Sequence, residues 1–199
     1  MSSRGFTLLE VTVSVAILMV VIAFLYMLSA SLSSAALIQE GKTFTQDQVR
    51  NAMQVITTDL RQASSTSVNW ATLPGATLTY QPAADIDGNG TAVDSGGFLE
   101  VDGVHTVQRD ATDPTRVVLI QPDGTSQVIA TNVLPNEDVN GNGTLESAED
   151  TNNNNALDRG LWFQAVGQTV QITIQAQRRT GSPPRPILSS LIEFVEPRN

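Results

Sequence analysis

The chain of 199 residues contains no cysteine, which excludes a disulfide scaffold and a thiolate metal site while leaving an extracytoplasmic home open. It has a single histidine, His105, so a histidine metal pair is excluded. No nucleophile elbow and no Gly-rich phosphate loop is present either. A lone histidine after an Asp-Gly turn reads as a surface or hydrogen-bonded residue, and catalysis has little support. Basic side chains are few. Against 20 Asp and Glu there are 11 Lys and Arg, giving a net charge of -9 and a pI near 4.4. That balance argues against electrostatic binding to nucleic acid or to anionic lipid headgroups, both of which need clustered Lys and Arg. Aromatic residues make up 5% of the chain, and Trp70 and Trp162, outside any aromatic cluster, read as packing residues rather than stacking platforms.

One absence is local. From Val11 to about Leu32 there is no charge in an apolar run, long enough at 1.5 Å per residue to cross a bilayer core of about 30 Å. Yet Glu10 stands at its start, where a carboxylate is expensive: insertion scales charge about 2.5 to 3.5 kcal/mol at the helix centre and less toward the interface. A plain signal anchor explains the length, with Arg4 favouring a cytoplasmic start, but explains neither Gly5-Phe6 nor Glu10. A secretory signal peptide is the other alternative, with small residues at Ser29-Ala30-Ser31 and Ser34-Ala35-Ala36. Its apolar core, however, is ordinarily about 7 to 15 residues and carries no acid at this position.

The segment Arg4-Gly5-Phe6-Thr7-Leu8-Leu9-Glu10 and the apolar helix after it resemble the N-terminus of type IV pilins and type II secretion pseudopilins. The resemblance implies that a prepilin peptidase cuts between Gly5 and Phe6 and that the new amino group of Phe6 is methylated. It also implies that the Glu10 carboxylate meets the Phe6 ammonium of a neighbouring subunit, relieving the cost of a buried lone charge on assembly.

Beyond Glu40-Gly41-Lys42, the residues Val49, Ala52, Met53, Ile56, Leu60 and Ala63 recur at spacings of three and four, which predicts one apolar stripe facing a sheet. The expected helix runs from about Thr7 to Ser64, near 85 Å at 1.5 Å per residue, with a weak point at Gly41. Its end is expected at Ser64-Ser65-Thr66-Ser67, whose hydroxyls compete with helix. A coiled coil is the alternative, but the heptads are too few. The stretch Arg50 to Ala63, Leu188 to Phe194 and Pro197-Arg198-Asn199 resemble J-type minor pseudopilins and W-type minor pilins. The helix also lacks the internal Pro of many major pilins, which favours a low-copy minor subunit.

From Thr77 the period changes to two. Strands are expected over Thr77 to Gln81, Phe98 to Val101, Thr106 to Asp110, Arg116 to Gln121, Gln127 to Ala130, Leu161 to Val166, Val170 to Arg178 and Ile187 to Val195. Turns are expected at Asp102-Gly103, Asp123-Gly124 and Gly167-Gln168. Gly181-Ser182-Pro183-Pro184-Arg185-Pro186 is expected as a stiff loop before the last strand. The fold class is α+β: a long N-terminal membrane-spanning helix packed on a mainly antiparallel β head, as in pilins. The chain divides into a leader at 1–5, a helix at 6–64 (about 8–32 in the membrane, about 43–64 amphipathic) and an extracytoplasmic head at 65–199.

A second pattern carries chemistry. Read from Asp138, the segment Asp138 to Glu149 places oxygen side chains at loop positions 1, 3, 5, 9 and 12, a Gly at 6 and an apolar residue at 8, as an EF-hand-type calcium loop does. Asp138, Asn140, Asn142, Glu146 and Glu149 are the side-chain ligands expected there, with Thr144 offering its carbonyl. Asp150, Asn152, Asn154, Ala156 and Asp158 repeat the early spacing, but position 12 is Leu161. Asp85, Asp87, Asn89 and Thr91 begin a third such loop whose position 12 is Gly96. The alternative for all three is a solvated Asn/Gly-rich surface loop. Neither flank of the first loop reads as an EF-hand helix, so calcium is expected as a structural clip rather than a sensor.

The reading these features support is a minor pilin or pseudopilin. It would be held in the inner membrane with its N-terminus in the cytoplasm and its head outside, then placed at or near the tip of a periplasmic or surface filament. Its partners would be other pilins or pseudopilins, the prepilin peptidase and the inner membrane, with no nucleic acid and no small-molecule substrate. The alternatives are a membrane-anchored extracytoplasmic binding protein with a calcium-stiffened β head, and an anchored hydrolase.

Overall fold

The computed structural model describes residues 7–138, 142, 144–150, 155, 157–180 and 185–198. One helix, α1, runs unbroken over Leu8–Gln62, about 82 Å at 1.5 Å per residue. Thr7 caps it with an extended backbone, and Ala63 ends it by turning extended again. The serine hydroxyls act as expected just beyond: the Ser67 hydroxyl donates to Ser64 O (2.8 Å) and Thr66 N–H to Ser64 Oγ (3.3 Å). The chain's other end returns to this point. Ser65 N–H donates to Arg198 O, and Arg198 N–H to Ala63 O, each at 2.8 Å.

The two halves of α1 differ. Large apolar side chains from Leu8 to Ile38 are exposed, whereas Gly41, Thr45, Val49, Ala52, Met53, Ile56, Thr57 and Leu60 are buried. That buried stripe is the predicted one, extended downward by Thr45 and Gly41. Gly41 is therefore not a break. A Cβ there would lie 2.6 Å from Thr180 Cγ2 and 2.9 Å from Ile187 Cδ1, so glycine is present because the sheet approaches the helix backbone too closely for a side chain.

The head is antiparallel. Strands β1 (Leu78–Tyr80), β2 (His105–Arg109), β3 (Val117–Ile120) and β4 (Ser126–Ala130) form one sheet in the order β1-β2-β3-β4, and β5 (Leu161–Val166), β6 (Thr169–Thr180) and β7 (Arg185–Val195) a second in the order β5-β6-β7. Helix α1 packs on β4, β6 and β7. Met53, Ile56 and Leu60 share one core with Leu78, Tyr80, Val107, Phe163, Ile172 and Ile174. A bridge between Gly75 and Phe163 and another between Val133 and Ala176 tie loops of the first half to the second sheet. The fold is the expected α+β arrangement.

Two turns are as the sequence indicates. Gly124 (φ 82°) closes β3 to β4 and Gly167 (φ 64°) closes β5 to β6, both in the region where glycine meets no Cβ penalty. Three expectations need correction. Phe98 to Val101 is not a strand but contributes only single bridges, Val93 to Leu99 and Ala83 to Val101. There the Asp and Asn side chains preceding it bond the backbone themselves and displace a ladder. Asp102-Gly103 consequently does not join two strands, and Gly103 instead backs onto the Pro122 ring. Finally, Arg185 and Pro186 belong to β7, where Pro186 is the register partner of Arg179. A proline is tolerated because β7 is an edge strand with no neighbour to receive an N–H bond; residues 181–184 of the expected loop lie outside the described residues.

Candidate functional site

Gly5 and Phe6 lie outside the described residues. Glu10 occupies the first turn of α1, where Thr7 N–H donates to its Oε2 (3.1 Å), the Thr7 hydroxyl approaches the same oxygen (3.3 Å) and Glu10 N–H donates to Thr7 Oγ1 (3.3 Å). This reciprocal capping box satisfies two orphan N–H donors, and the anion sits at the positive end of the helix dipole. The carboxylate needed at the start of an apolar run thus has a partner within its own subunit. The Thr-x-x-Glu spacing signals this in sequence; sequence reasoning had assigned Glu10 a partner only in a neighbouring subunit. Farther along, Thr12, Ser14 and Ser34 donate their hydroxyls to Leu9 O (2.9 Å), Glu10 O (2.7 Å) and Ala30 O (3.0 Å), so these polar groups carry no unmet donor into an apolar medium.

The acidic segment after Asn136 is pinned at both ends. Asn136 bridges Arg159, and Glu137 N–H donates to Asp158 O (2.9 Å) while Asp158 N–H donates to Glu137 Oε2 (3.3 Å). Glu137, Asp138, Glu149 and Asp158 are all buried, an arrangement that requires compensating charge or hydrogen bonds. Arg159 supplies part of it: its Nη2 lies 2.6 Å from Asp138 Oδ2, and its guanidinium stacks 4.8 Å from the Trp162 ring centre. In the middle of the loop, Asn142 Oδ1 accepts from Thr144 N–H (2.8 Å) and Oγ1 (2.6 Å), Asn142 Nδ2 donates to Glu146 Oε1 (3.0 Å) and Glu146 N–H donates to Glu149 Oε2 (3.3 Å). Asp150 Oδ2 accepts from Asn155 N–H at 3.0 Å. Asn140, Asn152, Asn154 and Ala156 lie outside the described residues.

The third loop brings its acids together. One oxygen from each of Asp85, Asp87 and Glu100 lies within 4.8 Å of the others, the one such group of three among the described residues. The backbone winds around Asp85: Asn89 N–H donates to Oδ1 (3.0 Å) and Gly90 N–H to Oδ2 (2.8 Å). Gly88 and Gly90 have φ of 75° and 87°, values only glycine adopts freely. Asn89 Oδ1 accepts from Thr91 N–H (2.8 Å) and Oγ1 (2.6 Å), repeating the Asn142 and Thr144 geometry. The same turn recurs at Asp113 with Thr115 and at Asp123 with Thr125, so the turn itself is ordinary local chemistry. The carboxylate convergence distinguishes the loop. Glu100, the residue sequence reasoning missed, is folded back by Ala84 N–H to Glu100 O (3.1 Å) and Glu100 N–H to Ala92 O (3.0 Å), and its Oε2 accepts from Ile86 N–H at 2.8 Å. Three hard oxygen donors of this kind suit calcium or another hard divalent cation.

His105 lies between two carboxylates and hydrogen-bonds one of them, Asp102. Its Nε2 lies 3.2 Å from Asp102 Oδ2 and its Nδ1 3.8 Å from Asp59 Oδ2, which also accepts from Tyr80 OH at 3.0 Å. Burial, followed by the adjacent Asp59 carboxylate, holds the Tyr80 phenol far above its ordinary range. The Gly103 N–H, then His105, holds Asp102 below its ordinary value. The network joins the end of α1 to β1 and β2 and is the hydrogen-bonded histidine the sequence led us to expect.

Residues 1–26 match the family described as the prokaryotic N-terminal methylation motif. Among curated proteins the chain is similar to the pilin-like protein PilA3 of Thermus thermophilus, 47% identical over 62 residues, or 31% of this chain and 27% of that relative. The match therefore spans little more than a quarter of the relative's length. No solved structure matches the chain.

Proposed function

We propose that this chain, a member of the type IV pilin superfamily by its N-terminal methylation motif, is a minor pilin or pseudopilin that stands at or near the tip of its filament. The observation that carries this reading is the division of α1. Its lower half exposes a predominantly apolar, charge-free surface from Val11 to Ile38 while its upper half is packed into the head core. Such a surface is satisfied first by lipid and then by the helices of other subunits, since none of the described residues of the head covers it. Glu10 serves both states. It caps its own helix in the membrane and is released to the Phe6 ammonium of a neighbour on assembly, exchanging its capping hydrogen bonds for an ion pair.

Before assembly the subunit is held in the inner membrane with its N-terminus in the cytoplasm. The prepilin peptidase cuts after Gly5 and leaves methylated Phe6. Calcium stiffens the head as a structural ion. The converging carboxylates of Asp85, Asp87 and Glu100 and the oxygen-rich order of Asp138 to Glu149 support that role. Replacing Gly5 with a bulky residue should leave the precursor uncut and filaments unformed although the chain still inserts. Mass spectrometry of the mature protein should find methylated Phe6 at its start, and a mature chain beginning at Met1 or between Ser31 and Leu37 would refute the processing.

A further inference from the structure

The sparse cations of this acidic chain are not spread evenly. Strand β7 runs alongside α1 in the same direction: Ile187 lies by Gly41, Ser189 Oγ is 2.9 Å from Thr45 Oγ1, and Glu193 pairs with Arg61 at 3.2 Å. The end of the head nearest the apolar half of the helix is therefore the β6–β7 end, where Thr180 touches Gly41 and is the register partner of Arg185. Lys42, Arg178, Arg179 and Arg185 all fall at this neck. Lys42 and Arg179 are exposed, and the Arg178 guanidinium is held 4.7 Å from the Phe44 ring centre. Among the described residues, none of Lys42, Arg178 and Arg179 makes an ion pair.

The nearby acids leave Lys42 clear. At about 100° per residue, Glu40, Phe44 and Asp47 share one flank of α1 and Lys42 lies on the opposite one, so Arg178, held over Phe44, stands on the acidic flank while Lys42 does not. The acidic loops attach elsewhere: the 85–102 loop at the far end of α1, through Ala83 N–H to Gln62 O (3.2 Å), and the 137–158 segment beside Gln175, about 17 Å up β6 from Thr180. The membrane plane is set by the helix. No charge occurs from Val11 to Gln39, about 43 Å of helix, which matches the roughly 40–45 Å thickness of a bilayer with its headgroups. Lys42 and the β6–β7 end thus meet the outer headgroup layer.

We propose that this neck is a basic collar that binds anionic lipid headgroups and holds the unassembled subunit upright on the membrane. The proposal rests on the membrane-anchored reading above. Each engaged cation strengthens the contact roughly fivefold at low salt, and the contact weakens as salt shortens the Debye length.

Hydrogen exchange of the full chain in nanodiscs tests it, comparing phosphatidylcholine alone with phosphatidylcholine mixed with phosphatidylglycerol. Backbone amides of Arg178 to Thr180 and Arg185 to Ile187 should exchange several-fold more slowly in the anionic discs. The difference should vanish at high salt and in Lys42→Gln/Arg179→Gln, whose exposed positions leave the fold intact, as unchanged protection of Ile172 and Ile174 would verify. Equal exchange in the two discs, with residues 11–32 protected in both, would overturn the collar and leave anchoring standing. Unprotected residues 11–32 would overturn anchoring and the collar together. Protection that grows with the number of chains per disc, independent of lipid charge, would assign the collar to another subunit and refute the lipid reading.

Discussion

Replacing Gly41 with alanine should destabilise the head, the reverse of what a glycine inside a helix ordinarily predicts. In a free helix interior the change stabilises by about 0.8 to 1 kcal/mol. Here the new Cβ would enter at 2.6 Å from Thr180 Cγ2 and 2.9 Å from Ile187 Cδ1, well inside van der Waals contact, and overpacking of this kind typically costs about 1 to 3 kcal/mol. The first atom belongs to a β-branched residue with restricted χ1, so relief requires the sheet to move away from the helix. The net expectation is a loss of about 1 kcal/mol, or roughly 2 to 4 °C in melting temperature for a domain of this size. Gly41→Val should cost more, since it adds two further methyl groups to the same gap. The control is to remove the two opposing atoms first. In a Thr180→Ser/Ile187→Val background, Gly41→Ala should become neutral or stabilising. Thermal denaturation of the detergent-solubilised full chain measures all of these. A higher melting temperature for Gly41→Ala in the otherwise native chain would refute the close-approach argument and return Gly41 to an ordinary helical glycine.

Glu10→Ala should insert at least as well as the native chain, because a charge at the membrane boundary is removed, yet copurify poorly with partner pilins; equal recovery of both in a pull-down would sink the assembly role. Calcium should raise the melting temperature of the full chain, by several degrees if it reaches about a hundred times Kd, which corresponds to about 2.7 kcal/mol. An unchanged melt between chelator and about 5 to 10 mM calcium, the range relevant to extracellular sites, would remove the ion. Glu100→Gln and Glu149→Gln assign the shift to one loop or the other. Asp102, Asp113 and Asp123 are each held below the ordinary carboxyl range, Asp102 first by the Gly103 N–H and the others first by the hydroxyls of Thr115 and Thr125. The folded chain therefore binds fewer protons than the unfolded chain as pH falls past about 4. Their contribution is present above that range and lost on acidification. Asp102→Asn should flatten the acid side of the melting profile; a profile parallel to the native one would refute the assignment.

What could be read from the sequence was local. Val49, Ile56 and Leu60 repeat within one helix, and β5 and β6 alternate on either side of Gly167, so period and punctuation suffice for them. The Thr7–Glu10 capping box was equally local and was overshadowed by the intersubunit role that the resemblance implied for the same carboxylate. Glu100 was different. The loop template assigns the closing ligand by counting twelve places from Asp85, whereas the chain reaches Asp85 by folding residues 92–100 back on themselves, and a count along the backbone cannot register that return.

The cations at the neck show the same limit on a larger scale. A net charge of -9 argued against attraction to anionic lipid, and for the chain as a whole it still does. But screening confines the interaction between exposed charges to about 8 Å at physiological ionic strength, so a headgroup at the level of Lys42 responds to the charges beside it rather than to the total. Lys42 lies on α1 and Arg178 and Arg179 on β6, far apart in sequence; it is the seating of Thr180 against Gly41 that joins them. The glycine that lets the sheet approach is therefore what concentrates positive charge at the membrane end. A bulkier residue there should weaken both the packing of the head and, by lifting the β6–β7 end away from the helix, the contact of Arg179 with the bilayer.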